Sequence, residues 1–335
     1  MKAKYLMIAT VATAMLAACS NDENEVNNGP VEARITAGID GPATRAIDQN
    51  WVIGNTIGVM VTGVTGTTTG ATSTMATLYK NVKYTVGSAG SSGTFTAETG
   101  KGIFFQDASE TVTFAAYSPY QTSTDAATLP GTNGTVTGGN TQDQSTTAKQ
   151  EVFDYLFASG ATASRSSAKV EFKKTDASHD YQFKHKMSRL ILVLNTSTSD
   201  GFTADQVLGA TAVYKLSGLK HDGTFNVKDG TATVSATGSA VSDWAITSNV
   251  HSDDKTANTR TYSMILYPQT LSSALTFSAT IDGQTYTNNA AIQPALAAGT
   301  SYTYTITVKK TGLTVSGCTI DGWTSGTGGS GNATM

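Results

Sequence analysis

An all-β protein, built as two β-sandwiches in tandem, is what this sequence predicts. Three observations predict it. Threonine supplies 57 of the 335 residues, beside 33 Gly and only 6 Pro. A chain rich in a β-branched hydroxyl residue and punctuated by glycine favours strands and turns over helices. Several segments alternate apolar and polar residues with period two, the pattern of a strand with one buried face. The candidate strands come at short spacing in two blocks, which suits two sandwiches and a chain of two-domain length. Apolar residues make up 39% and charged residues 14%, enough for a core and too few charges for a solvated disordered chain. Lys and Arg number 22 against 25 Asp and Glu, a net charge of -3, so the basic excess of a nucleic-acid binder is missing.

Residues 1–18 read as a signal peptide. Lys2 and Lys4 form a basic start, and residues 5–14 are apolar. That run is shorter than the roughly 20 residues a membrane span needs. It ends in Leu16-Ala17-Ala18-Cys19, which resembles the bacterial lipobox. The resemblance implies that the Cys19 thiol is acylated, with palmitate among the acyl chains, and that the chain is cut just before it. Acyl chains at about 0.8 kcal/mol per buried CH₂ would hold the mature protein to the outer membrane. Loss of Lys2 and Lys4 takes the net charge from -3 to -5. Residues 19–30 carry Asp22, Glu23 and Glu25 without a hydrophobic pattern and read as an acidic tether. The tether is similar to the acidic export signals of surface lipoproteins, which implies a surface-exposed location. With Cys19 lipidated, Cys318 has no partner for a disulfide and reads as a small strand residue.

The N-terminal sandwich is expected over residues 31–165. Val31, Ala33, Ile35, Ala37 and Ile39 alternate with Glu32, Arg34, Thr36, Gly38 and Asp40, giving a first strand that Gly41-Pro42 stops. A polar connector, Ala43-Thr44-Arg45-Ala46, follows. Trp51, Ile53, Ile57, Val59 and Val61 share a parity and predict a second strand. Further strands are expected at 80–86, 102–105, 111–117 and 151–158. Residues 121–150 read as a long surface loop with at most a weak hairpin.

The C-terminal sandwich is expected over 166–335, with the boundary in the small polar stretch 161–167. Strands are expected at 169–173 and 181–195, the latter holding the buried run Leu190-Ile191-Leu192-Val193-Leu194. Residues 275–281 and 284–287 flank Asp282-Gly283 and predict a hairpin with a type I′ turn. Strands at 301–308 and 313–323 follow, and the tail beyond has no apolar residue before Met335. Thr203 and Gln206, three apart, predict one capped short helix.

No chemistry stands out. His179, His185, His221 and His251 show no metal-ligand spacing, and neither a nucleophile elbow nor a phosphate-cradling loop is present. Asp253-Asp254 beside His251 reads as a solvated loop. No carboxylate pair is singled out for glycosidase chemistry. The aromatic residues lie mostly at inward parity and read as core. Neither catalysis nor a cofactor or metal is expected.

Several blocks in order carry a resemblance: Cys19; Thr44-Arg45-Ala46 before Trp51 and Ile57-Gly58-Val59; Asp154-Tyr155-Leu156-Phe157-Ala158; Phe183-Lys184-His185-Lys186-Met187-Ser188-Arg189-Leu190; Ala298-Gly299-Thr300-Ser301-Tyr302-Thr303-Tyr304; Leu313-Thr314-Val315; and Ile320-Asp321-Gly322-Trp323. Together they resemble the Bacteroidales fimbrillin family, the subunits of type V pili. The resemblance implies two transthyretin-like sandwiches and three kinds of partner: other fimbrial subunits, an arginine-specific protease, and the outer membrane through the lipid. It also implies that the protease removes the lipidated N-terminus with the first strand, and that the groove left behind takes a C-terminal strand of the next subunit. In this chain the cut falls between Arg45 and Ala46. Arg34 lies inside the strand pattern, where pairing should protect it. The donor segment is 312–323, with Leu313, Val315, Cys318 and Ile320; the change of parity marks Gly317 as a bulge. The competing reading is a monomeric surface lipoprotein that binds glycan or host protein.

Overall fold

The computed structural model describes residues 29–40, 50–68, 72–139, 143–196, 201–247, 250–254, 258–288 and 291–322. Cys19, Arg45 and Ala46 lie outside the described residues, as does the expected end of the last strand at Trp323. In chain order the first half gives β1 (Val31–Glu32), β2 (Arg34–Gly38), β3 (Thr56–Thr65), α1 (Met75–Leu78), β4 (Val82–Ser88), β5 (Ser92–Ala97) and β6 (Phe104–Phe105). Next come β7 (Thr111–Ser118), β8 (Thr135–Gly138), α2 (Thr147–Glu151), β9 (Leu156–Ser164), β10 (Lys169–Phe172) and β11 (Lys184–His185). Eight of these strands form one sheet in the order β10-β2-β5-β4-β3-β7-β9-β11. Its core holds Ile35, Ile57, Val59, Val82, Phe95, Val112, Phe114 and Phe172, all buried.

The sheet runs past the boundary expected at 161–167. Ser164 and Ser167 exchange backbone hydrogen bonds of 3.1 and 3.2 Å and turn β9 back into β10. β10 then pairs in parallel with β2, so its residues belong to the first sheet. The strand expected over 181–195 is divided for the same reason: β11 pairs with β9, and the next strand joins another sheet. β3 does not alternate. Ile57 through Val61 are buried in succession because both faces of the strand are covered. Ile57, Val59 and Val61 face the first core, while Met60 joins Ala115, Tyr117 and Phe157 in a cluster on the opposite face.

The second half gives β12 (Ser188–Asn195), α3 (Ala204–Leu208), β13 (Val213–Ser217), β14 (Gly223–Asn226), β15 (Thr231–Val234), β16 (Trp244–Ala245) and β17 (Val250–Asp254). β18 (Thr259–Leu266), β19 (Thr276–Ile281), β20 (Gln284–Thr287), β21 (Thr300–Lys309) and β22 (Gly312–Gly322) complete it. A five-stranded sheet, β17-β18-β12-β21-β22, and a four-stranded sheet, β16-β13-β19-β20, enclose a second core. β12 lies inside the former, antiparallel to β18 and parallel to β21, as its unbroken apolar run requires. Thr203 and Gln206 form the expected capping box on α3. Asp282 and Gly283 take positive φ, 50° and 78°, at the expected hairpin turn. Asp253 and Asp254 are strand residues, paired with Arg260 and Thr259, and not loop residues.

Within the expected long loop, β8 pairs with β14 from the second half. With β15 they make a three-stranded sheet, whose Val136 and Phe225 join the cluster of Met60 and Tyr117. Tyr155 stacks on Phe225 with centroids 4.5 Å apart. The fold is all-β, and its layers are β-sandwiches.

Candidate strand-exchange site

The first strand is extended because its small and branched residues alternate, and it is shared between sheets. β1 pairs antiparallel with β6, Val31 opposite Phe105. At Ala33 the chain crosses over, its N–H donating to Ile103 O at 2.8 Å. β2 then lies between β5 and β10, with Ile35 opposite Phe95 on one side and Val170 on the other. Ala33, Ile35 and Ala37 are buried, and Val31 and Ile39 pack at the margins of the same core. Ile39 bridges in parallel to Phe183, and Asp40 N–H donates to Phe183 O at 2.8 Å. β2 is thus paired on both sides, while β1 pairs on one side with β6.

Trp51 holds the strand's far end. Its indole N–H donates to Ala37 O at 2.8 Å in a buried contact. The ring meets Phe95 and Phe183 edge-on at 5.0 and 5.1 Å. Gly93 is needed beneath it, since a Cβ there would come within 2.9 Å of Trp51 Cδ1. Tyr84 lies under the β1–β2 crossover, and its hydroxyl accepts from Ile103 N–H at 2.9 Å. Burial pushes that phenol far above its ordinary pKa, so it stays protonated. On the outer face a groove of about 600 Å³ crosses β2 and β5, lined by Arg34, Thr36, Thr94, Thr96 and Lys169 among others. Arg34 is exposed at its side chain, yet its backbone N–H donates to Ala168 O at 2.8 Å. A protease needs an unpaired extended backbone, which position 34 does not offer.

At the other end of the chain, β22 is an edge strand paired along β21. One isolated bridge, Asn288 to Leu313, touches its other side. The pairing shifts register between Tyr304 and Thr305, and Gly317 is the extra residue, with φ of 63°. The bulge restores parity: Leu313, Val315 and Cys318 fall on one buried face and join the second core. Ile320 is 40% exposed and stands apart from the other three. Burial pushes the Cys318 thiol up, partly offset by a hydrogen bond with Tyr304, so it is a poor nucleophile.

Sequence reasoning missed Trp51's role as a clamp and the strand β5, and it assigned the strand expected at 169–173 to the second sandwich, whereas β10 flanks β2. Phe95 and Ala97 alternate with Thr94 and Thr96, a weak signal in a threonine-rich chain. Among the described residues, no group of three or more His, Cys, Asp or Glu could hold a metal ion. None of their helices is long and apolar enough to cross a membrane.

Residues 44–323 match the family described as fimbrillin-like. A candidate fimbrium subunit of Bacteroides uniformis is 32% identical over 99% of this chain and 100% of that protein. The crystal structure of a candidate cell adhesion protein from Bacteroides ovatus superposes with a TM-score of 0.68 and 25% identity, covering 89% of this chain and all of that one. A second candidate cell adhesion protein, from Bacteroides uniformis, shares the fold with a TM-score of 0.61 and 24% identity, over 90% of this chain and all of that one. With most of its length matched and a full-length relative above 30% identity, the chain belongs to the fimbrillin-like family.

Proposed function

We propose that the protein is a structural subunit of cell-surface fimbriae that supports adhesion. It is exported as an outer-membrane lipoprotein through Cys19. An arginine-specific protease cuts between Arg45 and Ala46, and subunits join head to tail by strand exchange. The observation that carries this reading is the pairing of β1 and β2 together with their covalent link. β2 is paired on both sides and β1 on one, and the chain continues into the body through residues 41–49, which contain Arg45. The incoming strand is 312–323 of a neighbour. A strand with apolar side chains at alternating positions can refill a groove that has lost Ala33, Ile35 and Ala37, and main-chain bonds supply the rest. β22 suits the part because it is an edge strand and gives up pairing on one side only. The contact is heterologous, so it propagates into a filament.

N-terminal sequencing of filament subunits should begin at Ala46. Arg45→Ala should leave a full-length, surface-held chain without filaments, and wild-type filament yield from it refutes the mechanism. Ile320→Asp separates the roles of β22. The side chain is 40% exposed in its own sheet, so the unassembled chain should keep its stability within about 0.5 kcal/mol. Filament growth should fall, because the charge would enter the neighbour's groove.

A further inference from the structure

A cleft of about 220 Å³ opens where the first strand ends and the chain returns. Ile39 lines one side, Asn50 and Trp51 another, and Glu151, Val152 and Asp154 the far wall. The volume equals that of roughly seven waters at about 30 Å³ each. Large apolar side chains stand exposed around it. Val152 is 62% exposed, and Val52 and Ile53, on the turn whose Gly54 and Asn55 line the cleft, are 51% and 64% exposed. That turn is held in place by Asn55, whose side-chain oxygen accepts from Val52 N–H at 2.8 Å.

The cleft is also acidic. Asp154 Oδ1 lies 3.0 Å from Nδ1 of buried His185. Glu151 is exposed, and partial burial, then the nearby Asp154 charge, holds its carboxyl above the usual range. A cation placed there would meet two carboxylates.

The chain outside the described residues supplies a fitting occupant. Residues 41–49 leave from Asp40 and return at Asn50, both ends meeting the cleft region. Ala46 is four residues before Asn50, a reach of at most about 14 Å. Hydrolysis of the Arg45–Ala46 bond adds one water, leaving a carboxylate on Arg45 and an α-ammonium on Ala46. The intact peptide offers no charge at that nitrogen. The acidic wall repels the new carboxylate and attracts the new ammonium, which sorts the two ends. Ile47, next in sequence, brings a branched apolar side chain able to cover that exposed apolar rim.

We propose that this cleft receives the end made by the cut: Ile47 covers the apolar rim and the Ala46 ammonium lies against Glu151 and Asp154. The inference rests on the Arg45 cut. It goes further by giving the new N-terminus a docking place, so that processing builds a contact as well as breaking a bond.

The test uses the full chain, left unlipidated by Cys19→Ala and cut with an arginine-specific protease. N-terminal sequencing identifies the new end, and acetic anhydride pulse-labelling with mass spectrometry reads the reactivity of its α-amine. Wild type should label about threefold to fivefold more slowly than Glu151→Gln or Ile47→Asp, the range of a weak surface ion pair. Glu151 is exposed, so its variant keeps the fold. Hydrogen exchange in residues 51–55 should slow after cutting in wild type and not in Ile47→Asp. A new end other than Ala46 overturns the cut and the docking together. A cut at Ala46 with equal labelling in all three proteins overturns the docking alone. Protection that appears only where the cut chain self-associates assigns the cleft to a second copy and also overturns it.

Discussion

His221 is buried against Trp244, ring centroids 4.5 Å apart, and neither ring nitrogen has a hydrogen-bond partner among the described residues. Burial lowers its pKa from 6.5 to about 4, against a smaller opposing effect of Asp222. A folded-state value below the unfolded one means that protons favour the unfolded chain. The associated stability is fully present above about pH 6.5 and is lost as pH falls towards 4. A shift of this size corresponds to on the order of 3 kcal/mol. Urea denaturation at pH 7 and 4.5 should show that loss in wild type, and His221→Phe should remove most of it. Nothing in the sequence marks this histidine. Burial comes from β14 and the Trp244 segment folding together, a contact between residues more than twenty apart.

Among elements, the first strand was the most legible and β18 the least. Residues 31–39 alternate cleanly because one face meets a core and the other meets solvent. β18 lies inside the five-stranded sheet, and its first half, Thr259-Arg260-Thr261, carries no apolar signal. β3 misled for the opposite reason: with two covered faces, period two disappears. The Gly317 bulge was legible from parity alone. A Cβ at Gly317 would meet nothing within 4 Å, so substitution there tests backbone conformation only. Gly317→Ala, at φ of 63°, should destabilise the unassembled chain by about 1 kcal/mol. A thermal melt measures it, and an unchanged midpoint would remove the bulge as the reason for glycine.

For the whole molecule, the expected division at 161–167 and the observed layers differ in an informative way. A break in hydrophobic pattern locates a turn, and turns occur within sheets as well as between domains. What joins the halves is long-range: the apolar cluster around Met60, Tyr117 and Phe225, the pairing of β8 with β14, and side-chain amides beside them. Gln144 Nε2 donates to Ile265 O at 2.6 Å, and its Oε1 accepts from Ile265 N–H at 2.7 Å, as a neighbouring strand would. Gln150 adds a bond to Ser263 O at 2.5 Å. These glutamines extend the pairing of β18 where β17 stops at Tyr262. Gln144→Ala leaves a buried N–H and C=O unmet, and should cost about 2 kcal/mol. Chemical denaturation should show it, and a loss below about 0.5 kcal/mol would mean that water replaces the amide.

The interior position of β2, between β5 and β10, gives cleavage an unusual meaning. A cut beyond Asp40 breaks no hydrogen bond of β1 or β2, so the product is a two-chain complex with the native fold. Its lifetime belongs to peeling, and adding protease cannot shorten it. Ile35→Val, which thins the buried face by one methylene, should weaken the strand by about 1 kcal/mol and shorten that lifetime roughly fivefold. Size-exclusion chromatography of the nicked chain would follow release of the peptide. If release limits growth, this destabilising change hastens assembly: the protease decides which molecules are eligible, and the residence time of one strand keeps the clock.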